Sequence, residues 1–510
     1  MKINRLFFSL ILVVILVLVT TGLRPLAPAA PGTIINVTIF SDEYGGLSSG
    51  CSLREAIQSA NNKADFGGCT GSGGYGVDTI LLPAGTYTLT RSGDDNTNDY
   101  GDLDISSDLT ISGQGTGATI NGAGIDRVFD ILGMPSVTFE NLTITSGHSP
   151  NGKDGAADGG GIRNAGSLSL NNVVIYGNQA GKGSGGEPDG ASGGYGGGIY
   201  SNGSALSILN SRISDNSAGA GQDSTESGDG GRGGGIFTDG GTVTITNSEI
   251  RDNTAGAGGE ITTNASGGIG GGCFCGGTIT ITGSTISGNT AGSSSSVGGG
   301  AAGGLYANGN MTITNSTISG NTSGSTSYEY GSSGDGGGIV ASNLVTIRYS
   351  TIYDNHIGTG YSAGRGGGIY SQADGYVTLG TTILAGNTDP GGLGPDCYSP
   401  GTVISEDYNL VGDTTGCTFG SPNGNSQLGV PGFMLSPLGN FGGPTQTHAL
   451  PSGNQAIDKI TLGTNGCGTT YPADQRGMWR PVDGDQNGTA LCDIGAFEFQ
   501  ISGFLPLIMK

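Results

Sequence analysis

Short runs of alternating apolar and polar residues recur along most of this chain. In stretches such as VTITNSEI (243–250) and ITITGSTI (279–286), every second residue is apolar, which is typical of strands with one buried face. A Gly-rich phrase, GGGIY or a close variant, comes before each run. The residue after these glycines recurs every 30 to 37 positions, at Ile162, Ile199, Ile236, Cys273, Leu305, Ile339 and Ile369.

Each repeat contains three such strand-like runs: the Gly-rich phrase, a VTIT-type run and an STISGN-type run. Three short strands per repeat, stacked coil on coil, predict a parallel β-helix with coils about 4.8 Å apart. The apolar residues of successive coils should then form continuous columns inside it. An Asn that ends each repeat should form a hydrogen-bonded ladder, at Asn178, Asn216, Asn253, Asn289, Asn321, Asn355 and Asn387.

The loops and the aromatic residues of the repeat have predictable positions. Gly/Ser-rich stretches of variable length separate each Asn from the next glycines, and we expect them to project from one side. The aromatic residues should point outward, as a platform for sugar rings or as a structural ladder covered by the loops. We favour the ladder, because exposed aromatic columns are usually covered. This stripe comprises Tyr200, Phe237, Phe274, Tyr306 and Tyr370.

The ends of a β-helix must be capped, because open strand edges recruit other strands. The stretch CSLREAIQSANN (51–62) predicts one helix near the start, with Leu53, Ile57 and Ala60 on one face. Ser52 and Glu55 have the spacing of a capping box. We therefore predict a helical lid at the N-terminal end.

Composition and net charge limit the classes of partner that this protein can bind. The chain has 510 residues, 106 of them Gly, and a formal net charge of −22. This charge excludes nucleic acid as a partner and disfavours a polyanionic substrate unless a cation bridges the two. It suits a soluble protein outside the cell, and we expect a monomer.

The first residues predict export. Lys2 and Arg5 precede an apolar run (6–19), and Ala27-Pro28-Ala29 (27–29) offers a small-residue cleavage site. We predict a signal peptide and a secreted or cell-surface protein that meets the membrane only through this signal. An uncleaved membrane anchor is the alternative.

The eight cysteines fall into local pairs, and an exported chain meets an oxidising compartment. Cys273 and Cys275 are expected to stay unbonded, because such neighbours on an extended strand have Cβ atoms roughly 6–7 Å apart, too far for a disulfide. We expect them to be buried as small hydrophobic residues, or the strand to be broken there. The predicted disulfides are Cys51–Cys69, Cys397–Cys417 and Cys467–Cys492.

Three sets of motifs resemble known families. CSLREAI (51–57) resembles the signature of the CSLREA domain, and the GGGIY…ISGN units look like the repeats of polymorphic outer membrane proteins. The phrases at 439–458, 474–484 and 492–499 resemble the choice-of-anchor Q domain. This resemblance implies an exported, right-handed β-helix at a bacterial surface, and it carries no agreed catalytic residues.

The predicted fold is therefore all-β: a right-handed parallel β-helix solenoid with an N-terminal helical cap and a small C-terminal disulfide-containing module. The predicted organisation is a signal peptide, an N-terminal cap with the first coils, the Gly-rich repeats, the C-terminal module and a short apolar tail, at 1–29, 32–130, 131–390, 391–500 and 501–510.

Calcium is the one predicted cofactor. The stretch DGDQNG (483–488) places Asp483, Asp485 and Asn487 at alternate positions, with Asp493 downstream. Such alternate oxygens resemble a calcium loop, although Ile494 stands where a bidentate Glu is expected. No catalytic residues are assigned.

Two functions remain open. The first is a structural or adhesive protein that binds a ligand, an extracellular glycan or a surface protein. The alternative is a polysaccharide lyase or glycoside hydrolase that acts in a groove along the β-helix. Carboxylates, or a carboxylate–Arg set, converging in one groove would favour the enzyme.

Overall fold

The computed structural model describes residues 32–500, apart from 47–49, 94, 153–156, 185–189, 224–227, 261–263 and 420–423. The predicted signal peptide and the apolar tail lie outside the described residues. The described chain forms a right-handed parallel β-helix with three strand ladders, which confirms the predicted fold class.

Sheet 1 contains the strands that follow the Gly-rich phrases and the equivalent strands of the first and last coils. Two long strands, Ile236–Thr246 and Cys273–Thr282, run on from sheet 1 into sheet 2. The other strands of sheet 1 are Leu103–Ile105, Phe129–Ile131, Ile162–Asn164, Ile199–Ser201, Leu305–Ala307, Ile339–Ala341, Ile369–Ser371 and Cys397–Tyr398.

Sheet 2 is formed by the VTIT-type runs and begins with the first described strand, Ile34–Asn36, which also pairs antiparallel with Gly71–Ser72. Its other strands are Asp78–Leu82, Leu109–Gly113, Ser136–Glu140, Ser167–Asn171, Ala205–Leu209, Asn310–Thr314, Leu344–Arg348, Tyr376–Gly380 and Thr402–Ser405.

Sheet 3 is formed by the STIS-type runs. Its strands continue to Gln427–Leu428, beyond position 390, where the sequence placed the start of the C-terminal module. They are Gly85–Thr88, Ala118–Asn121, Leu142–Thr145, Val174–Tyr176, Arg212–Ser214, Glu249–Arg251, Thr285–Ser287, Thr317–Ser319, Thr351–Tyr353, Ile383–Ala385, Leu410–Val411 and Gln427–Leu428.

Parallel pairing without offset stacks equivalent residues of successive coils. Ile199 pairs with Ile162 on one side and with Ile236 on the other. All seven residues that follow the glycines are fully buried. They belong to one continuous apolar core, as the sequence predicted.

The three glycines of each phrase meet different demands, as the triplet 196–198 shows. Gly196 has φ 66°, a conformation that costs little only for glycine. A Cβ on Gly197 would lie 2.4 Å from the Gly234 carbonyl oxygen, and one on Gly198 would lie 3.0 Å from the Asn216 side-chain nitrogen. The coil therefore turns at the first glycine and packs too closely for side chains at the other two.

The predicted Asn ladder is present and buried. The side-chain nitrogen of Asn289 donates to Oδ1 of Asn321 at 2.9 Å, while its own Oδ1 accepts from Nδ2 of Asn253 at 2.9 Å. The ladder ends at Asp396, whose Oδ1 accepts from Asn387. Burial is the main cause that raises the pKa of Asp396 to about 6.

A second ladder was not predicted. Serine hydroxyls accept backbone N–H groups from the preceding coil, as where Ser284 Oγ accepts from the amide of Ser248 at 3.1 Å. The residue before each ladder position adopts positive φ, including Asn247 before Ser248 and Asp252 before Asn253. Asn and Asp tolerate this conformation better than most residues, which explains their recurrence at these corners.

The N-terminal helix, Leu53–Asn62, caps the first coils as predicted. Ser52 and Glu55 form both hydrogen bonds of the capping box. Arg54, fully buried, pairs with Asp42 at 2.6 Å and donates to the Asp102 carbonyl at 2.7 Å. The CSLREA-like stretch therefore fastens the helix to the loop that precedes the first strand of sheet 1.

The three predicted disulfides are present, but the expectation for Cys273 and Cys275 was wrong. These two residues also form a disulfide, with their Cα atoms 5.5 Å apart. The chain is contracted here relative to a fully extended strand, whose alternate Cα atoms lie about 6.6 Å apart. Both side chains face the core and are fully buried.

The C-terminal segment folds back along the outside of sheet 3. Thr317 contacts Thr447 at 3.0 Å and Gln475 at 2.6 Å, and Ser319 contacts Nε2 of His448 at 2.8 Å. A second apolar cluster, which includes Ile460 and the Cys467–Cys492 disulfide, fills the interface. The predicted module therefore divides into two parts: its strands up to Gln427–Leu428 extend the solenoid, and the residues after them cover the later strands of sheet 3.

The Asn ladder generates the first prediction. Asn289→Ala removes the acceptor of two Asn253 donors and leaves the carbonyl of Ile250 without its side-chain donor. Because these groups are buried, we expect the free energy of unfolding to fall by about 2–4 kcal/mol. Chemical denaturation measures the change, with the exposed Asn310→Ala as control. Equal stability of the two variants would contradict a structural role for the ladder.

Candidate functional site

One outward-facing column runs the length of sheet 1 and changes character along it. Strand register stacks two aspartates, an arginine and then a series mostly of aromatic rings. This column consists of Asp104, Asp130, Arg163, Tyr200, Phe237, Phe274, Tyr306, Val340, Tyr370 and Tyr398.

The aromatic part is a stacked ladder. Neighbouring rings from Tyr200 to Tyr306 have centroids 5.1–5.3 Å apart and planes within 11° of parallel. Val340 interrupts the series before Tyr370, which stacks on Tyr398 at 5.9 Å. Phe237 and Phe274 are buried, with both ring faces against neighbouring rings, so the geometry supports the structural interpretation for these two residues.

The charged part is a buried network that the sequence analysis did not predict. Arg127 lies 3.0 Å from a carboxylate oxygen of Asp130 and 3.4 Å from one of Asp102. Arg163, partly exposed, lies 3.3 Å from the other oxygen of Asp130. Asp104 accepts the Asn98 amide at 2.8 Å, while its second oxygen is buried and has no hydrogen-bond partner among the described residues.

This network holds more carboxyl groups than cations, and the carboxyl groups are shielded from water. Burial is the main cause that raises the pKa of Asp104 to about 7, and the charge of Asp130 raises it further. Burial also raises the pKa of Asp102 and of Asp130, against the opposing effect of Arg127. A proton is therefore held in this network more readily than on free aspartates.

A second column runs beside the aromatic ladder, at the residue before each positive-φ glycine. Asp158, Tyr195 and Arg232 occupy successive coils, linked by backbone hydrogen bonds such as Gly196 N–H to the Arg232 carbonyl at 2.9 Å. Between the two columns lies a cleft of about 680 Å³. We call it the ladder cleft, and its side chains include Asp158, Tyr195, Tyr200, Arg232, Phe237 and Asp239.

Arg232 is the notable polar group of the ladder cleft. Its guanidinium lies 5.3 Å from the Phe274 ring centroid and 5.9 Å from that of Tyr195. Within the described part of the chain it lies beyond salt-bridge distance of every carboxylate, although Asp158 and Asp239 line the same cleft. Two aromatic contacts therefore position this guanidinium, and among the described residues none accepts a hydrogen bond from its N–H groups.

The two carboxylates of the ladder cleft differ. Asp158 is buried and accepts the Tyr195 amide at 2.7 Å, and burial raises its pKa. Asp239 is exposed at the cleft surface. Burial, with smaller effects from these two charges, raises the pKa of the Tyr200 hydroxyl to about 12.

A related arrangement occurs four coils further along. Arg365 lies 4.7 Å from the Tyr398 ring centroid and donates to the Tyr398 hydroxyl at 2.9 Å. Its backbone N–H donates to Asp335, whose pKa burial raises. The combination of aspartate, arginine and aromatic ring therefore recurs along the same side.

The predicted calcium residues come together only in part. Asp483 and Asp485 converge with Asp458, which was not predicted, so that one oxygen of each lies within 4.8 Å of the others. The side-chain oxygen of Asn487 accepts the Thr489 amide, and Asp493 is buried and accepts the amides of Asp458 and Phe499. Calcium binding therefore stays a prediction, with Asp458 replacing Asn487 and Asp493 in the candidate ligand set.

Comparisons with known proteins add little. No protein-family model and no curated protein matches this chain. A solved structure described as the crystal structure of pectate lyase Pel9A aligns over 91% of this chain and 96% of its own, with 12% sequence identity and a TM-score of 0.37. A likeness this loose supports no conclusion about activity. Within the described residues, no helix has the length and apolar character needed to cross a membrane.

The buried acidic network predicts stability that depends on pH. A raised pKa in the folded state contributes stability that is complete below the unfolded pKa, about 3.9, and is lost as pH rises through the folded value of about 7. We therefore expect the melting temperature to fall by several degrees between pH 5 and pH 8. Asp104→Asn should reduce this fall, because the amide cannot ionise.

Scanning calorimetry of the wild type and of Asp104→Asn across this pH range measures the effect. The exposed Asp374→Asn is the matched control and should follow the wild type. A pH dependence that Asp104→Asn leaves unchanged would show that this carboxyl group is not held protonated.

Proposed function

We propose that this chain is an exported β-helix protein that binds glycans in the ladder cleft. The observation that carries the proposal is Arg232, held between aromatic rings in a cleft that also contains carboxylate and phenol groups. Saccharides have apolar ring faces edged by hydroxyl groups. A site that offers aromatic surface with donors and acceptors at its rim suits them.

The disulfide bonds support export. All eight cysteines are paired in four disulfides, as expected of a protein that folds in an oxidising compartment. The predicted signal peptide would deliver the chain there, as a secreted or surface-bound monomer. Its net charge of −22 favours an uncharged or cationic partner over a polyanion.

The cleft suits binding better than catalysis. The carboxyl groups of Asp102, Asp104 and Asp130 are buried in the charged network, away from any polymer on the surface. Asp158 is also buried and already bound to a backbone amide. Of the two carboxylates that line the cleft within the described part of the chain, Asp239 is exposed and Asp158 is not.

A glycan array with the mature chain, followed by calorimetry on the best ligand, tests the proposal. Arg232→Ala and Asp239→Asn should each weaken binding about tenfold or more, because each removes a directional contact in the cleft. Arg251→Ala is the matched control, since Arg251 is partly exposed on sheet 3 and pairs with Asp252. Absence of any glycan ligand, or full affinity of Arg232→Ala, would contradict the proposal.

A polysaccharide hydrolase or lyase is the second candidate function. The observation that favours it is the convergence of Asp158, Asp239 and Arg232 on one cleft, with a raised pKa on Asp158 that suits a general acid. Incubation with neutral and acidic polysaccharides, assayed for new reducing ends and unsaturated products, tests this activity. An enzyme should lose turnover by at least about a hundredfold in Asp158→Asn while still binding its substrate.

A further inference from the structure

Aromatic side chains with open ring faces occur at a different place from the ladder. On the loop side of the β-helix, Tyr330 and Tyr361 are 69% and 75% exposed. Such exposure is unusual for clustered aromatic rings, because an apolar patch in water marks an interaction site. With the partly buried Tyr328 they form what we call the tyrosine patch.

The rings of the tyrosine patch meet at an angle rather than face to face. Tyr328 and Tyr330 have centroids 5.8 Å apart with planes at 70°, and Tyr330 and Tyr361 are 6.1 Å apart with planes at 55°. Neighbouring rings therefore do not cover one another as they do in the ladder. This arrangement leaves ring surface available to a flat ligand.

The backbone beneath the patch is fixed by hydrogen bonds. A turn closes where the Gly331 amide donates to the Tyr328 carbonyl at 2.9 Å, and the Ser362 amide donates to the Gly331 carbonyl at 3.2 Å. Ser332 and Ser362 form a parallel bridge between adjacent coils. Because these hydrogen bonds already order the loops, the protein loses less conformational entropy when a ligand binds to the rings.

The surroundings of the patch select the class of partner. Three exposed serines, Ser327, Ser332 and Ser362, lie within two positions of a tyrosine of the patch in the sequence. Tyrosine, serine and glycine together are the composition of adaptable binding surfaces. The exposed Glu329 and the net charge of −22 oppose a polyanion or a second copy of this chain.

We propose that the tyrosine patch is a docking surface for a neutral polysaccharide. The C–H groups on the face of a sugar ring carry partial positive charge and pack against the negative faces of the tyrosine rings. Sugar hydroxyl groups can bond with the neighbouring serines. The patch lies roughly 15–20 Å from the ladder cleft along the axis, from three to four coil spacings. The proposal therefore does not rest on the function of the cleft.

Affinity electrophoresis of the full mature chain in gels with soluble neutral polysaccharides tests the proposal. The probes are a mixed-linkage β-glucan, a xyloglucan, a galactomannan and a xylan. Tyr330→Ala and Tyr361→Ala should each raise the dissociation constant about tenfold or more. Tyr330→Phe should stay within about threefold of the wild type, because the ring surface remains. Tyr376→Ala is the control, since Tyr376 is 52% exposed on sheet 2.

The outcomes separate the two proposed sites. Retardation lost in Tyr330→Ala and kept in Arg232→Ala supports the tyrosine patch, whatever the cleft binds. The proposal is overturned if none of the four polysaccharides retards the wild type, or if both alanine variants are retarded as strongly as the wild type. Loss of retardation only in Arg232→Ala also overturns it. Selective binding of a protein or an acidic glycan at the tyrosines would replace it with another class of partner.

Discussion

Parallel, in-register pairing between successive coils is the constraint on which the rest of this structure depends. Once Ile199 pairs with Ile236, the other strand positions of the coil also lie above their equivalents in the next coil. At strand and corner positions a side chain must therefore pack against the side chain at the equivalent position of the next coil. Aliphatic residues satisfy this inside, Asn and Ser satisfy it at the corners, and aromatic rings satisfy it on sheet 1.

Function in such a molecule must come from places where the stacking pattern changes. The aromatic column gives way to Arg163 and buried aspartates at one end, and the ladder cleft lies at this change. The tyrosine patch lies instead on loops that the register leaves free to vary. Stacking covers both ring faces of Phe237 and Phe274. These two residues look suited to sugar binding in the sequence, but their ring faces are not open to a sugar.

The repetitive features could be predicted from the sequence because their residues recur at nearly regular intervals along it. The apolar columns, the Asn ladder and the helix capped by Ser52 and Glu55 all follow from local pattern. The serine ladder also has a sequence signal, the serine that begins the STIS-type run in five repeats. The charged network of Arg127 and Asp130 and the return of Gln475 onto Thr317 join residues distant in sequence, and no period marks them. The Cys273–Cys275 disulfide depended on a local contraction of the strand that an ideal geometry does not include.

Cysteine cross-linking tests the in-register stacking most directly. Thr280 and Thr312 are paired neighbours on adjacent coils of sheet 2, and both side chains are exposed. Thr280→Cys with Thr312→Cys should form a disulfide under mild oxidation, because parallel partners lie about 4.8 Å apart. Thr280→Cys with Thr346→Cys, two coils apart at about 10 Å, should not. Mass spectrometry that found both cross-links to equal extent, or neither, would contradict the stacked architecture.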